Sequence, residues 1–121
     1  MASRTAVPLT HPDRDALSLI DVLSALSDPL RLAIVANLAD GSEMPCTAFE
    51  LPVSKSTQSW HFRTLREAGV IRQRDDGTRR LNSLRRTDID ARFPGLLDLA
   101  IREAATLCPP VLAERRTSTR P

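Results

Sequence analysis

The sequence has no tyrosine and only four aromatic residues: Phe49, Trp60, Phe62 and Phe93. A core with so few rings must rest on Leu, Ile, Val and Ala, a composition that suits helices better than a large sheet. No uninterrupted apolar run reaches the roughly 18 residues of a membrane span. The N-terminal region, with Arg4, His11 and Asp13 among scattered apolar residues, lacks the hydrophobic stretch of a signal peptide. Cysteine is confined to Cys46 and Cys108, which rules out a disulfide framework. Together these absences lead us to expect a cytoplasmic protein. There is also no glycine-rich loop or acidic cluster to build an oxyanion site around a Cys46–His61 dyad, so no enzyme is expected. What is present, in 121 residues of which 41% are hydrophobic, is enough for one globular domain.

Residues 1–12, with Pro8 and Pro12 among small and polar residues, read as a flexible arm, residues 13–108 as the folded domain, and residues 109–121 as a flexible tail. A helical pattern begins at Asp13. Leu19, Ile20, Leu23 and Leu26 share one face, while Leu17 and Val22 lie off it, so this helix must be covered from two sides. Ser27-Asp28-Pro29 restarts a helix, with Asp28 as cap and Pro29 at the first helical position. That second helix passes through Leu30, Ile34 and Leu38 and stops near Gly41. A connection over 42–46 leads to a short helix around 47–51, ended by Pro52.

Ser54 is placed to cap a third helix that runs to Ala68, with Phe62 and Leu65 on its apolar side. Strand-like runs at 70–74 and 79–84 flank Asp75-Asp76-Gly77-Thr78, a strong hairpin signal. Thr87 with Asp90 resembles a capping box for a short helical turn. After Pro94-Gly95 a last helix runs over 96–107, with Leu97, Ile101, Ala104 and Cys108 spaced as a helix-pairing stripe.

Charge is unevenly placed along this order. Residues 54–86 hold nine Lys and Arg against three acids, a local net of +6 in a chain of net +2, so the remainder totals −4. Such asymmetry is the footprint of a polyanion-binding face or of a solvated basic surface. Order within the segment favours duplex DNA. The N-terminus of the third helix presents free N–H groups beside Ser54, Lys55, Ser56, Thr57 and Gln58, which suits phosphate. Ser59, Trp60 and Arg63 lie one turn on, opposite Phe62 and Leu65, where side chains of a groove-seated helix reach base edges. Arg72, Arg74, Arg79 and Arg80 of the hairpin would grip phosphates or enter a minor groove. Trp60 sits about 160° around the helix from Phe62, which favours the groove over the core. His61 lies between the faces, to contact phosphate or to bond within the domain.

Three helices and a basic hairpin in this order make a mainly α (α+β) fold, a winged helix-turn-helix with a two-stranded β-hairpin wing and terminal dimerisation helices. The segments ALSDPLRLAIVANLADG (25–41), LPVSKSTQSWHFRTLREAGVI (51–71) and RQRDDGTRRLNSL (72–84) resemble the ArsR/SmtB family of bacterial winged-helix repressors over roughly residues 15–107. The resemblance implies a homodimer formed through the first and last helices and a sequence-specific repressor on a palindromic operator. It also implies release by an inducer, which the sequence does not identify.

The family's metal sites do not transfer. The thiolate type needs a Cys-x-Cys pair, and this chain has Cys46 alone behind Met44-Pro45. The other type needs Asp and His along the last helix, which here has Asp98 and Glu103 but no histidine. His11 and His61 lie elsewhere, so four converging N or S ligands cannot be assembled and no cofactor is expected. The alternatives are a thiol- or metal-responsive repressor using Cys46 or Cys108, and a winged helix serving only as a protein-interaction module. A basic wing and polar reading helix oppose the latter.

Overall fold

A computed structural model of the protein describes residues 9–112. Eight elements make up its frame: α1 (Leu19–Leu26), α2 (Pro29–Asn37), β1 (Met44–Pro45), α3 (Lys55–Glu67), β2 (Ile71–Asp76), β3 (Arg79–Leu84), α4 (Arg86–Arg92) and α5 (Leu96–Leu107). They form a winged helix-turn-helix, with α2 and α3 as the helical pair and β2–β3 as the wing. The sheet has three strands rather than two, in the antiparallel order β1-β3-β2, because Met44 and Pro45 pair with Asn82 and Leu81. Among the described residues no helix is long and apolar enough to cross a membrane.

The first helix is shorter than its periodicity predicts. Arg14–Ala16 form a 3₁₀ turn, Leu17 is extended, and Ser18 caps α1 by accepting from the Asp21 amide at 3.4 Å. Of its two apolar sides the domain covers one: Leu17, Val22, Ala25 and Leu26 are buried, whereas Leu19, Ile20 and Leu23 are exposed, Ile20 by 72%. Periodicity groups residues onto faces, but which face meets the core is decided by neighbouring elements. α2 begins as the sequence requires, with the Asp28 carboxylate accepting from the Leu30 and Arg31 amides at 2.9 and 3.1 Å ahead of Pro29. The stripe in α5 serves its own chain, since Leu97 and Ala104 are buried where α5 packs on α2.

Two further local readings change. A 3₁₀ turn at Cys46–Ala48 replaces the helix expected around 47–51, and Phe49 then bridges Leu112 in extended conformation. Thr87 lies inside α4, whose start at Arg85 has no side-chain cap. The ends of the arm and tail that are described touch the domain. His11 accepts from the Gln73 amide at 3.0 Å, Pro12 accepts from Arg85, and Val111 is buried and accepts from the Glu50 amide. The rest of the predicted arm and tail lies outside the described residues.

Gly69 fixes how the chain leaves α3. It adopts φ 85°, and the amides of Gly69 and Val70 close the helix on the carbonyls of Arg66 and Leu65 at 3.0 and 2.9 Å. A Cβ here would collide with the Leu17 side chain and stand 3.1 Å from Pro12. At Gly77, in the wing turn with φ 65°, a Cβ would meet nothing. Gly69→Ala is therefore expected to cost roughly 1–3 kcal/mol from strain alone, with the clash added. Thermal unfolding should show a clearly larger drop in Tm for Gly69→Ala than for Gly77→Ala.

Candidate nucleic-acid interface

α3 is positioned by its inner face and its first turn. Phe62 and Leu65 are fully buried, and the Phe62 ring meets Phe49 edge-on at 5.3 Å. Gln58, expected among DNA contacts, turns inward instead. Its Oε1 accepts from the Leu51 amide at 3.2 Å, and its Nε2 donates to the Phe49 carbonyl at 3.3 Å. The turn before α3 has unpaired backbone groups that this amide satisfies, so Gln58 anchors the helix. Ser54 caps it by accepting from the Thr57 amide at 3.2 Å, and the Ser54 hydroxyl also hydrogen-bonds the hydroxyls of Ser56 and Thr57.

The outward face then carries Lys55, Ser56, Ser59, Trp60 and Arg63, all exposed. Trp60 is 46% exposed, on the side away from Phe62, as its helical position predicts. Its ring is supported from behind by the Arg31 guanidinium, 5.2 Å from the ring centroid. Arg31 is itself buried. It donates through Nε to the Ala25 carbonyl at 2.7 Å, through Nη2 to Ser24 at 3.4 Å, and lies 3.0 Å from His61 Nδ1. These carbonyls end α1, where the helix dipole is negative, which suits a cation.

His61 belongs to this buried cluster and not to the outer face. It is 5% exposed, and because Arg31 has no acceptor, Nδ1 must accept and the ring must be neutral. Burial pushes its pKa below the ordinary value, the Arg31 charge adds to that, and Asp28 opposes it. Arg31 was not among the residues singled out from sequence. Its place directly after the Asp28-Pro29 cap was visible there, but its partners were not.

In the wing, Arg72, Arg74, Arg79 and Arg80 are exposed. Each lies near a carboxylate. Arg74 grips Glu43 with two bonds of 2.7 and 2.8 Å, Arg80 grips Asp75 at 2.8 and 3.2 Å, Arg79 meets Asp76 at 3.4 Å, and Arg72 stands 3.9 Å from Asp88. Farther on, buried Arg85 pairs with Asp88, and Arg86 with Asp90 and Asp98. Folding thus lays Glu43, Asp88, Asp90 and Asp98 against the segment that read as +6, and its field is weaker than the linear count implies. Exposed pairs of this kind are worth about 0–1 kcal/mol each, so the wing guanidiniums can exchange carboxylate for phosphate at little cost. Among the described residues, Lys55 and Arg63 of α3 have no carboxylate partner.

The cysteines are both free and half-buried. Burial pushes the Cys46 thiol up, against a hydrogen bond of 3.3 Å from Asn82, and burial with the Asp28 charge pushes Cys108 up. A raised thiol is protonated at neutral pH and is a poor nucleophile. Among the described residues no three His, Cys, Asp or Glu side chains converge as metal ligands.

Residues 26–74, which span α2, α3 and most of β2, match a family model described as a helix-turn-helix domain. The chain is also similar to an uncharacterized HTH-type transcriptional regulator, YceK, of Bacillus subtilis (strain 168). The two are 39% identical over 80 residues, covering 64% of this chain and 80% of the relative.

The two histidines, His61 buried and His11 half-buried, set a pH dependence. Burial, with Arg72, Arg66 and Arg85 nearby, also lowers the pKa of His11. Below the ordinary value of 6.5 the unfolded chain takes up protons that the folded chain refuses. Stability is therefore full above that value and falls as pH drops through it. Urea unfolding between about pH 7.5 and 5 should show this decline, above the range where carboxylates titrate. It should be shallower in a His11→Gln, His61→Gln double variant, and an unchanged slope there would assign the decline to other groups.

Proposed function

We propose that this chain, which belongs to the helix-turn-helix transcriptional regulators, is a homodimeric repressor of the ArsR/SmtB type that reads a palindromic operator. The observation that carries this reading is the outer face of α3: Lys55 and Arg63, without a carboxylate partner among the described residues, beside exposed Ser56, Ser59 and Trp60, next to an arginine-bearing wing. In this reading α3 enters the major groove with Ser59, Trp60 and Arg63 toward base edges. Ser54, Lys55, Ser56 and Thr57 meet phosphate at the helix N-terminus. Arg72, Arg74, Arg79 and Arg80 flank the groove on the backbone or in the adjacent minor groove. His61 and Gln58 take no direct part, because both side chains are committed inside the domain.

Dimerisation is supported by apolar surface that this chain leaves uncovered. Leu19, Ile20 and Leu23 of α1 and Leu99 and Leu107 of α5 are 43–72% exposed. Exposed apolar residues clustered on helices mark interaction surfaces. A twofold dimer would cover them and set two copies of α3 about one DNA turn apart, roughly 34 Å.

Anisotropy titrations with duplex DNA from the protein's own upstream region test the reading. Affinity should fall steeply with salt, with a log–log slope of roughly −4 to −8 for a dimer. Arg79→Ala with Arg80→Ala should weaken binding to all sequences alike, and Ser59→Ala or Trp60→Ala should change which sequence is preferred. Ile20→Asp with Leu23→Asp should yield a monomer that binds the operator about a hundredfold more weakly. Affinity insensitive to salt would overturn the role given to the basic face.

A further inference from the structure

Behind the outer face of α3, between it and the wing, lies a cavity of ≈ 440 Å³. Its walls include Cys46, Ser59, Arg63, Arg66, Gln73 and Arg80. Leu9 and Phe62 give it an apolar side. That volume is in the range of small-molecule sites, which are largely preformed and combine apolar walls with a few fixed polar groups.

The chemistry of the cavity turns on Arg66. Its residue is 9% exposed, it has no carboxylate partner among the described residues, and its Nε has no acceptor. Its Nη1 donates to the neutral Gln73 Oε1 at 2.8 Å. A buried guanidinium in this position is costly unless an anion reaches it. The other two cations of the wall differ from it: Arg80 is already held by Asp75, whereas Arg63 is exposed and also lacks a carboxylate. Arg66 and Arg63 are one helical turn apart on α3, so one small anion can bridge them. Gln73 passes on to Asn82 Oδ1 at 2.7 Å, and Asn82 donates to the Met44 carbonyl and to Cys46 Sγ. The cavity floor is therefore a hydrogen-bonded chain joining α3 to all three strands.

We propose that this cavity is an effector site for a small organic anion, whose carboxylate or phosphate group seats on Arg66 and Arg63 and whose apolar part lies against Leu9 and Phe62. The proposal rests on the repressor reading, since the consequence of occupancy is release of DNA. Ser59 and Arg63 line the cavity and also belong to the proposed base-reading face. An anion that engages Arg63 from behind withdraws it from DNA. A DNA phosphate offers the same anionic chemistry from a different source, and the experiment separates the two.

Calorimetry of the full chain with benzoate and with inorganic phosphate, at constant ionic strength, is set beside operator binding with and without each anion. The expected result is saturable binding of at least one anion, weakening of operator affinity by that anion, and no such effect from chloride. Arg66→Gln should bind the anion about tenfold or more weakly, the loss of a charged hydrogen bond, while its operator affinity without anion stays at the wild-type level. Should that variant fail to fold, Cys46→Leu, which fills the cavity from the opposite wall and leaves every arginine in place, should abolish anion binding. If neither anion binds a protein that binds its operator, the proposal is overturned. If Arg66→Gln loses operator affinity while neither anion binds, the cavity receives a DNA phosphate instead, and the proposal again fails. An anion that binds the cavity of a protein with no affinity for any DNA would instead overturn the repressor reading and leave the site standing.

Discussion

Three helices of this domain meet at the guanidinium of Arg31, and the geometry of α3 depends on that meeting. Arg31 follows the cap of α2, bonds the carbonyls that end α1, touches His61 on the inner side of α3 and lies over the ring of Trp60 on its outer side. A buried cation has few stable arrangements, since each N–H needs an acceptor and the charge needs a compensating dipole. The α1 C-terminus supplies both. The angle between α2 and α3 is thereby tied to a polar contact as well as to the apolar core around Phe62 and Leu65, and Trp60 is pre-oriented before any ligand arrives.

The same economy of charge governs the wing. Its arginines sit on carboxylates, some from the hairpin itself and some from distant parts of the chain such as Glu43 and Asp88. This keeps guanidiniums ordered at the surface without a large uncompensated field, and it leaves Lys55 and Arg63 on α3 without a carboxylate among the described residues. Electrostatic attraction is thus concentrated on the element that carries the exposed polar side chains Ser56 and Ser59 beside Trp60. Arg66 is the exception: it too has no carboxylate partner among the described residues, but it is buried, on the side of α3 that faces the wing.

Much of this architecture was legible along the chain. The Asp28-Pro29 and Ser54 caps, the burial of Phe62 and Leu65, the outward Trp60 and the Asp75–Thr78 turn all follow from contiguous residues, and the structure has them where expected. Other features were not legible. β1 is two residues, Met44 and Pro45, paired with Asn82 and Leu81 of a strand far along the chain, and it is too short to carry any pattern of its own. Gln58 and His61 lie on a helix flank where a side chain can turn either way, and only the backbone groups of Leu51 and Phe49 and the guanidinium of Arg31 decide that they turn inward.

The sequence by itself determined the order of the elements, their caps and turns, and the polar and apolar sides of α3, because capping, periodicity and turn chemistry act between residues a few positions apart. Tertiary structure alone decided which side of α1 is covered, which arginines of the basic stretch hold carboxylates, and that Arg66, beside a cavity, has none among the described residues. Those outcomes depend on residues far apart in the chain, such as Glu43 with Arg74 and His11 with Gln73. A count of charges along the sequence cannot anticipate them, because Coulomb and hydrogen-bond partners are set by distance in space.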